Sequence, residues 1–200
     1  VLEHEGRLYR AFENNPPADW PEGFQALVIS ADADANLLDA SSWTMSNRVS
    51  FDPDWLPPQW RSMTRPGWLE GNVVAGPDGS LYNVMRFNSE PFVDVAAVLR
   101  LSSGGRKLHF NPDDGFIDFP GGMTKFTIRQ DPVTNRYLTL SNNNTDPAYP
   151  TQRNVLSLHV SADLRGWKHC KTLLADDSAL SHEESIKLTA FQYVDWRFDG

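Results

Sequence analysis

The chain has one cysteine, Cys170, so it can form no intrachain disulfide and no cysteine-based metal site, and either redox compartment tolerates it. No run of 18 apolar residues occurs, which excludes a membrane-spanning helix. Basic runs are also missing: 18 Lys and Arg stand against 26 Asp and Glu, for a net charge of −8. That balance argues against a nucleic-acid backbone as partner. No stretch has the period of a long amphipathic helix, although Asp176–Leu188 has room for a short helical turn inside a linker. Val1 opens directly on strand-like sequence, with no charged leader or cleavage site, and the far end stops at an Asp199-Gly200 turn. Both ends read as cut from a longer chain. Asp113-Asp114 and Asp176-Asp177 read as solvated turns, and neither a metal nor a cofactor is expected.

Aromatic residues are plentiful, at 12% of the 200 residues with seven Trp. Such a surplus suits a close-packed β core or a cleft where flat rings meet sugar C–H faces. The stretch Gly71–Phe87, GNVVAGPDGSLYNVMRF, is a strand, an Asp-Gly turn and a second strand. Similar turns fall at Glu5-Gly6, at Asp131–Asn135 and at Asp199-Gly200, at intervals of 73, 56 and 65 residues. Each complete unit continues through a polar loop into an apolar strand ending in serine. Ser30, Ser102 and Ser161 follow their turns by 24, 23 and 26 residues.

A repeated unit of four antiparallel strands predicts an all-β fold, a β-propeller of five to seven blades in full. Here it comprises blade one at 1–55, blade two at 68–112, blade three at 123–176 and the first strand of blade four at 189–200. Strands are expected near 7–12, 24–30, 69–75, 80–87, 95–101, 125–130, 136–141 and 155–160. An open β-sandwich with similar hairpins is the alternative.

Ser161-Ala162-Asp163-Leu164-Arg165-Gly166-Trp167 resembles the Asp-box turn of sialidases and of five-bladed glycosidases. A distorted copy runs from Ser30 and Asp32 to Trp43, and Ser102-Ser103-Gly104-Gly105 is a third that has lost both Asp and Trp. Locally, such an Asp accepts amide N–H bonds across its turn and the Trp packs between sheets. With WLEGN (Trp68–Asn72), FPGGMTK (Phe119–Lys125) and FQYVDWRFDG (Phe191–Gly200), the chain resembles bacterial members of the sialidase-like superfamily of glycan-active propellers. The resemblance covers nearly the whole chain. It implies a glycoside hydrolase acting on an acidic or plant or algal sugar, with a carbohydrate as its partner, in a secreted or periplasmic setting.

Loops that enter each first strand and follow each second strand converge on one face of a propeller, and chemistry concentrates there. Glu70 and Asp195 are the candidate catalytic carboxylates, because glycoside hydrolysis uses two. Tyr193 is a nucleophile of the sialidase kind or a stacking platform. Lys125 and Arg86 are placed to bind a substrate carboxylate, Arg86 equally to be an ordinary surface cation. Trp68, Asn72, Gln192 and Arg65 complete the candidate substrate contacts, with Arg61 and Arg65 flanking Trp60 and Trp68 as a rim. Lys125 is expected between Glu70 and Asp195 in blade order, with Asp195 deeper in the channel, beneath Tyr193 and orienting Tyr193 or a water. Three other functions fit the same residues: a polysaccharide lyase on this fold, with Tyr193 or a His as base, a non-catalytic carbohydrate-binding propeller, and a phosphorylase-type propeller.

Overall fold

The computed structural model describes residues 1–16, 20–102 and 104–199. Ser103 of the third serine turn and Gly200 of the expected fourth turn lie outside the described residues.

Three antiparallel sheets follow one another along the chain. The first holds β1 (Leu2–His4), β2 (Arg7–Asn14) and β3 (Gln25–Asp32), with β4 (Thr44–Met45) and β5 (Val49–Ser50) both pairing β3. The second holds β6 (Gly67–Ala75), β7 (Leu81–Asn88) and β8 (Val95–Ser102), with β9 (Lys107–Phe110) and β10 (Phe116–Asp118) sharing the outer side of β8. The third runs β11 (Thr127–Gln130), β12 (Tyr137–Asn142), β13 (Val155–Ser161), β14 (Trp167–Ala175). The eight expected strands all form, and the sheets number three rather than the two of a sandwich. The hairpins turn where Gly6, Gly79 and Asn135 hold φ of 72°, 75° and 56°, the left-handed region that Gly and Asn reach most readily.

Alternation along the strands decides how the sheets stack. Val73, Met85, Phe87 and Leu99 of the second sheet pack on Tyr9, Ala26 and Val28 of the first. Their neighbours Val74, Val84, Ala96 and Val98 point the other way, onto Ile128, Tyr137 and Leu164 of the third. The second sheet is therefore buried on both faces, which is why β7 and β8 read as nearly continuous apolar runs.

The aromatic surplus lies largely in this core. Phe51 and Trp55, from the loop that precedes β6, close on Trp68, Phe87 and Phe110 at ring-centroid distances of 5.1–5.7 Å. Trp60 packs edge-on to Phe116. The loop expected to form a Trp-lined sugar rim is folded inward instead.

The Asp163 carboxylate accepts the amides of Arg165 (2.9 Å) and Gly166 (2.8 Å), and Trp167 lies half-buried, edge-on to Phe119. One short helix, α1 (His182–Leu188), starts at a Ser181–Glu184 capping box. The expected first strand of a fourth blade does not form: 189–199 is irregular, because no strand stands beside it to complete a ladder among the described residues. It is tied instead to the third sheet. Phe191 N–H donates to Arg153 O at 2.9 Å, Asn142 Nδ2 to Phe191 O at 2.8 Å, and Thr127 Oγ1 to Val194 O at 2.5 Å.

Candidate active site at the first strands

The first strands of the three sheets, β1, β6 and β11, line one cleft of about 680 Å³, closed on a further side by Tyr193–Asp195. Glu70 reaches it because β6 is irregular. Trp68 pairs with Phe87 and Gly71 with Met85, so β6 spends one more residue than β7 across that interval. This bulge breaks the period of two. It turns the Trp68 ring into the core, fully buried and donating from Nε1 to Val49 O at 3.0 Å, while Glu70 opens onto the cleft. Trp68 is thus no substrate contact. Gly71 is required here, since a Cβ would stand 2.3 Å from Asn83 Oδ1 and 2.7 Å from Met85 Sδ.

Two cations grip the Glu70 carboxylate. Lys125 Nζ lies 2.5 Å from Oε1, and Arg86 Nη1 lies 3.0 Å from Oε2. Arg86 is 7% exposed, and its Nε donates to Met123 O at 2.8 Å, so it is not the ordinary surface cation that the sequence also allowed. The segment before β11 brings both partners in. Gly121 (φ 75°) and Gly122 press against backbone, where a Cβ would meet Asn142 O at 2.2 Å and Val95 O at 2.1 Å. That close seating presents the Met123 carbonyl to Arg86 and Lys125 to Glu70. Burial opposes the Glu70 charge, but Lys125 and Arg86 outweigh it and hold the carboxyl below its ordinary range. Burial likewise disfavours the Lys125 ammonium, and Glu70 and Tyr193 more than restore it, so its pKa rises.

Lys125 Nζ also stands 3.9 Å from the centre of the Tyr193 ring, a cation–π contact. Tyr193 is 75% exposed and held at a φ of 57°, a strained backbone for an aromatic residue. Glu70, Arg86, Lys125 and Tyr193 therefore meet at one place.

The other candidates do not join this cluster. Asp195 lines the cleft but is paired with Arg129 of β11 at 2.6 Å and accepts the Trp196 amide at 2.9 Å; Arg129 holds its carboxyl low. It does not bond Tyr193; Lys125, which lies between the two carboxylates in chain order, closes on Glu70. Asn72 clips β6 to β11, its amide donating to Ile128 O (3.4 Å) and accepting from Ile128 N (3.2 Å). Arg65 is drawn away to Glu22, with Nη2 3.0 Å from Oε2. Gln192 is half-buried and outside the residues that line the cleft.

Two further residues feel the charges of this centre without lining the cleft. Arg153, just before β13, is half-buried, with a fully enclosed Nε that finds no partner among the described residues. Burial and the like charge of Arg86 push its pKa down, while Tyr193 and Glu70 act the other way, which places it among them. Only its membership of a polar loop marked it in the sequence. Glu13, on β2, is the second: burial, then the charge of Glu70, push its carboxyl above the ordinary range against Lys125 and Arg10. Its signal was legible, since it follows Gly6 by the seven residues that separate Arg86 from Gly79.

No family model matches the chain, and no curated protein does. Among solved structures, a GH43 β-1,3-galactosidase determined with galactodeoxynojirimycin is similar over 82% of this chain, with a TM-score of 0.50 and 14% identity. The chain spans about half of that protein, 53% of its length. At this identity the likeness concerns the fold.

Proposed function

We propose that the three sheets are consecutive blades of a β-propeller, bounded as the repeats suggest, and that the cleft hydrolyses glycosidic bonds of an acidic glycan. One observation carries the substrate class. Arg86 and Lys125 grip one carboxylate, Glu70, and a third cation, Arg153, stands close enough to feel the charges of Arg86 and Glu70. The cations around Glu70 outnumber it, and a sugar carboxylate would balance the surplus positive charge. The exposed Tyr193 ring offers a platform for the pyranose face. Glu70 stays ionised at neutral pH, and the free lone pairs on its cation-bound oxygens accept a proton from water. The likeness to a glycosidase fold supports this reading, and the residue-level resemblance to sialidase-like proteins leads to the same acidic sugars.

The test is a panel of 4-methylumbelliferyl glycosides with matched neutral and acidic sugars: galactoside, glucuronide, galacturonide and the N-acetylneuraminic acid ketoside. Turnover should be confined to the acidic members, and Arg153→Met should raise KM for them at least tenfold. Equal turnover of neutral sugars would remove the acidic assignment. Unaltered binding of a glycan with no cleavage anywhere would favour a carbohydrate-binding module.

A further inference from the structure

The cleft extends beyond the Glu70 cluster, and its charges extend with it. Its further walls carry three arginines, Arg10, Arg129 and Arg197, against two carboxylates, Glu3 and Asp195. Glu70 faces Arg86 and Lys125, so the surplus of one cation found there is repeated. The chain as a whole carries −8, which makes the cationic cleft a local feature and not a consequence of composition. Arg129 follows Lys125 by four residues, and Phe126 and Ile128 between them pack into the core shared with the second sheet. The period of two therefore turns Lys125, Thr127 and Arg129 the other way, into the cleft. In an extended chain, at about 3.3 Å per residue, Arg129 stands about 13 Å beyond Lys125, farther than the substituents of one pyranose reach.

Arg129 is fixed in place. Its Nη2 donates to Asp195 Oδ1 at 2.6 Å, and Ile128 beside it is clipped to Asn72. The side chains of Arg129 and Asp195 remain 30% and 71% exposed. A guanidinium has five N–H donors and can serve a second carboxylate beside the first. Arg10 enters from β2, with its guanidinium over the Phe12 ring at 5.3 Å from the centroid. The Val1 amine, in the same wall, is pushed down by burial first and then by Arg10 and Arg129, with Asp195 acting the other way. Both guanidiniums therefore stand beside one part of the cleft.

We propose that Arg129 and Arg10 form a second anion subsite, which takes an acidic group on another sugar of the chain bound at Glu70. The preferred substrate is then a glycan with successive acidic residues, a polyuronate, and not a neutral chain with one acidic end. The inference rests on the acidic-glycan reading and extends it from one charge to two. Asp195 acts as a positioning residue, holding the Arg129 guanidinium by Nη2. Two anchors on one ligand reinforce each other, because the second contact forms without a fresh loss of translational freedom.

Calorimetric titration of the full chain with galacturonate, glucuronate and mannuronate, and with the dimer and trimer of each, tests this. In at least one series the trimer should bind about tenfold or more tighter than the monomer. Added salt should narrow that gap. In the double variant Arg10→Gln/Arg129→Gln the trimer-to-monomer ratio should fall to about one. Arg10 is exposed and forms no ion pair among the described residues, so Arg10→Gln alone keeps the wild-type Tm. It should still lower the ratio about threefold. A monomer that binds as tightly as its trimer, or a length gain that survives both substitutions, would overturn the second subsite while the acidic-glycan reading stood. Uronates that fail to bind in every series would overturn both.

Discussion

Glu70→Gln is the substitution on which most of the site depends, and its effect on stability follows from the geometry. The amide keeps the shape of the carboxylate but loses its charge. Arg86 Nη1 and Lys125 Nζ, 3.0 and 2.5 Å away, then lose their counter-ion, and their side chains are only 9% and 20% exposed. Breaking a fully buried pair costs about 3–5 kcal/mol and an exposed one about 0–1. Glu70, 35% exposed, falls between, so a loss of about 2 kcal/mol is expected. In a chain of this size that lowers Tm by roughly 4–8 °C. Turnover should fall to background in the same protein, assayed well below the new Tm. The cycle with Lys125→Met isolates the pair: the double variant should be more stable than the sum of the single losses predicts, by about 1 kcal/mol. An unchanged Tm in Glu70→Gln with full additivity in the cycle would refute the claim that these contacts hold the cleft together. Wild-type turnover in Glu70→Gln would remove its catalytic role.

Trp68→Ala should cost about 3–5 kcal/mol, since the ring is fully buried among Phe51, Trp55, Phe87 and Phe110. Activity should fall only as the folded fraction falls; a folded but inactive Trp68→Ala would return this residue to the substrate. Gly122→Ala places a Cβ 2.1 Å from Val95 O, so the loop must move and draw Lys125 and Met123 from their partners. Both Tm and turnover should drop, and an active variant of unchanged Tm would contradict that close seating. His159, buried beside His169, has its pKa lowered to about 4, by burial first and by His169 second. A folded pKa below the unfolded one leaves this contribution whole above about pH 6.5 and removes it as pH falls toward 4, by about 2 kcal/mol at pH 5. Denaturant titrations at pH 7 and pH 5 should show that loss in the wild type and not in His159→Gln.

The eight expected strands were legible because alternation and turn residues are local signals, carried in sequence by Gly6, Gly79 and Asn135. The errors arose where one local irregularity or one distant partner decides the outcome. Counting by twos from Glu70 puts Trp68 on the same side, and only the bulge sends one to the cleft and the other to the core. The pairing of Asp195 was hidden because nothing in sequence announces Arg129, 66 residues away, as its counter-ion. Arg65 was lost to Glu22 in the same way, and Arg153 became visible only once the third sheet carried it back toward Arg86 and Glu70.

The centre is assembled from equivalent positions of a repeat that have diverged chemically. Glu13, Arg86 and Asn142 each follow a left-handed turn residue by seven positions, on the second strands of three successive sheets. The shared strand geometry brings each to the same level, and the side chain decides its task. In the second sheet the guanidinium grips Glu70. In the third the amide holds Phe191 O, two residues before Tyr193, and so fixes the segment that carries the ring over Lys125. In the first the carboxyl feels the charge of Glu70 and holds no cation among the described residues. A repeat selected only for packing would have kept these three positions apolar, as it keeps Ala11 and Val84, two residues earlier on the same strands, within the cores between sheets. Polar groups with three different chemistries at one structural level show where the repeat has departed from packing alone.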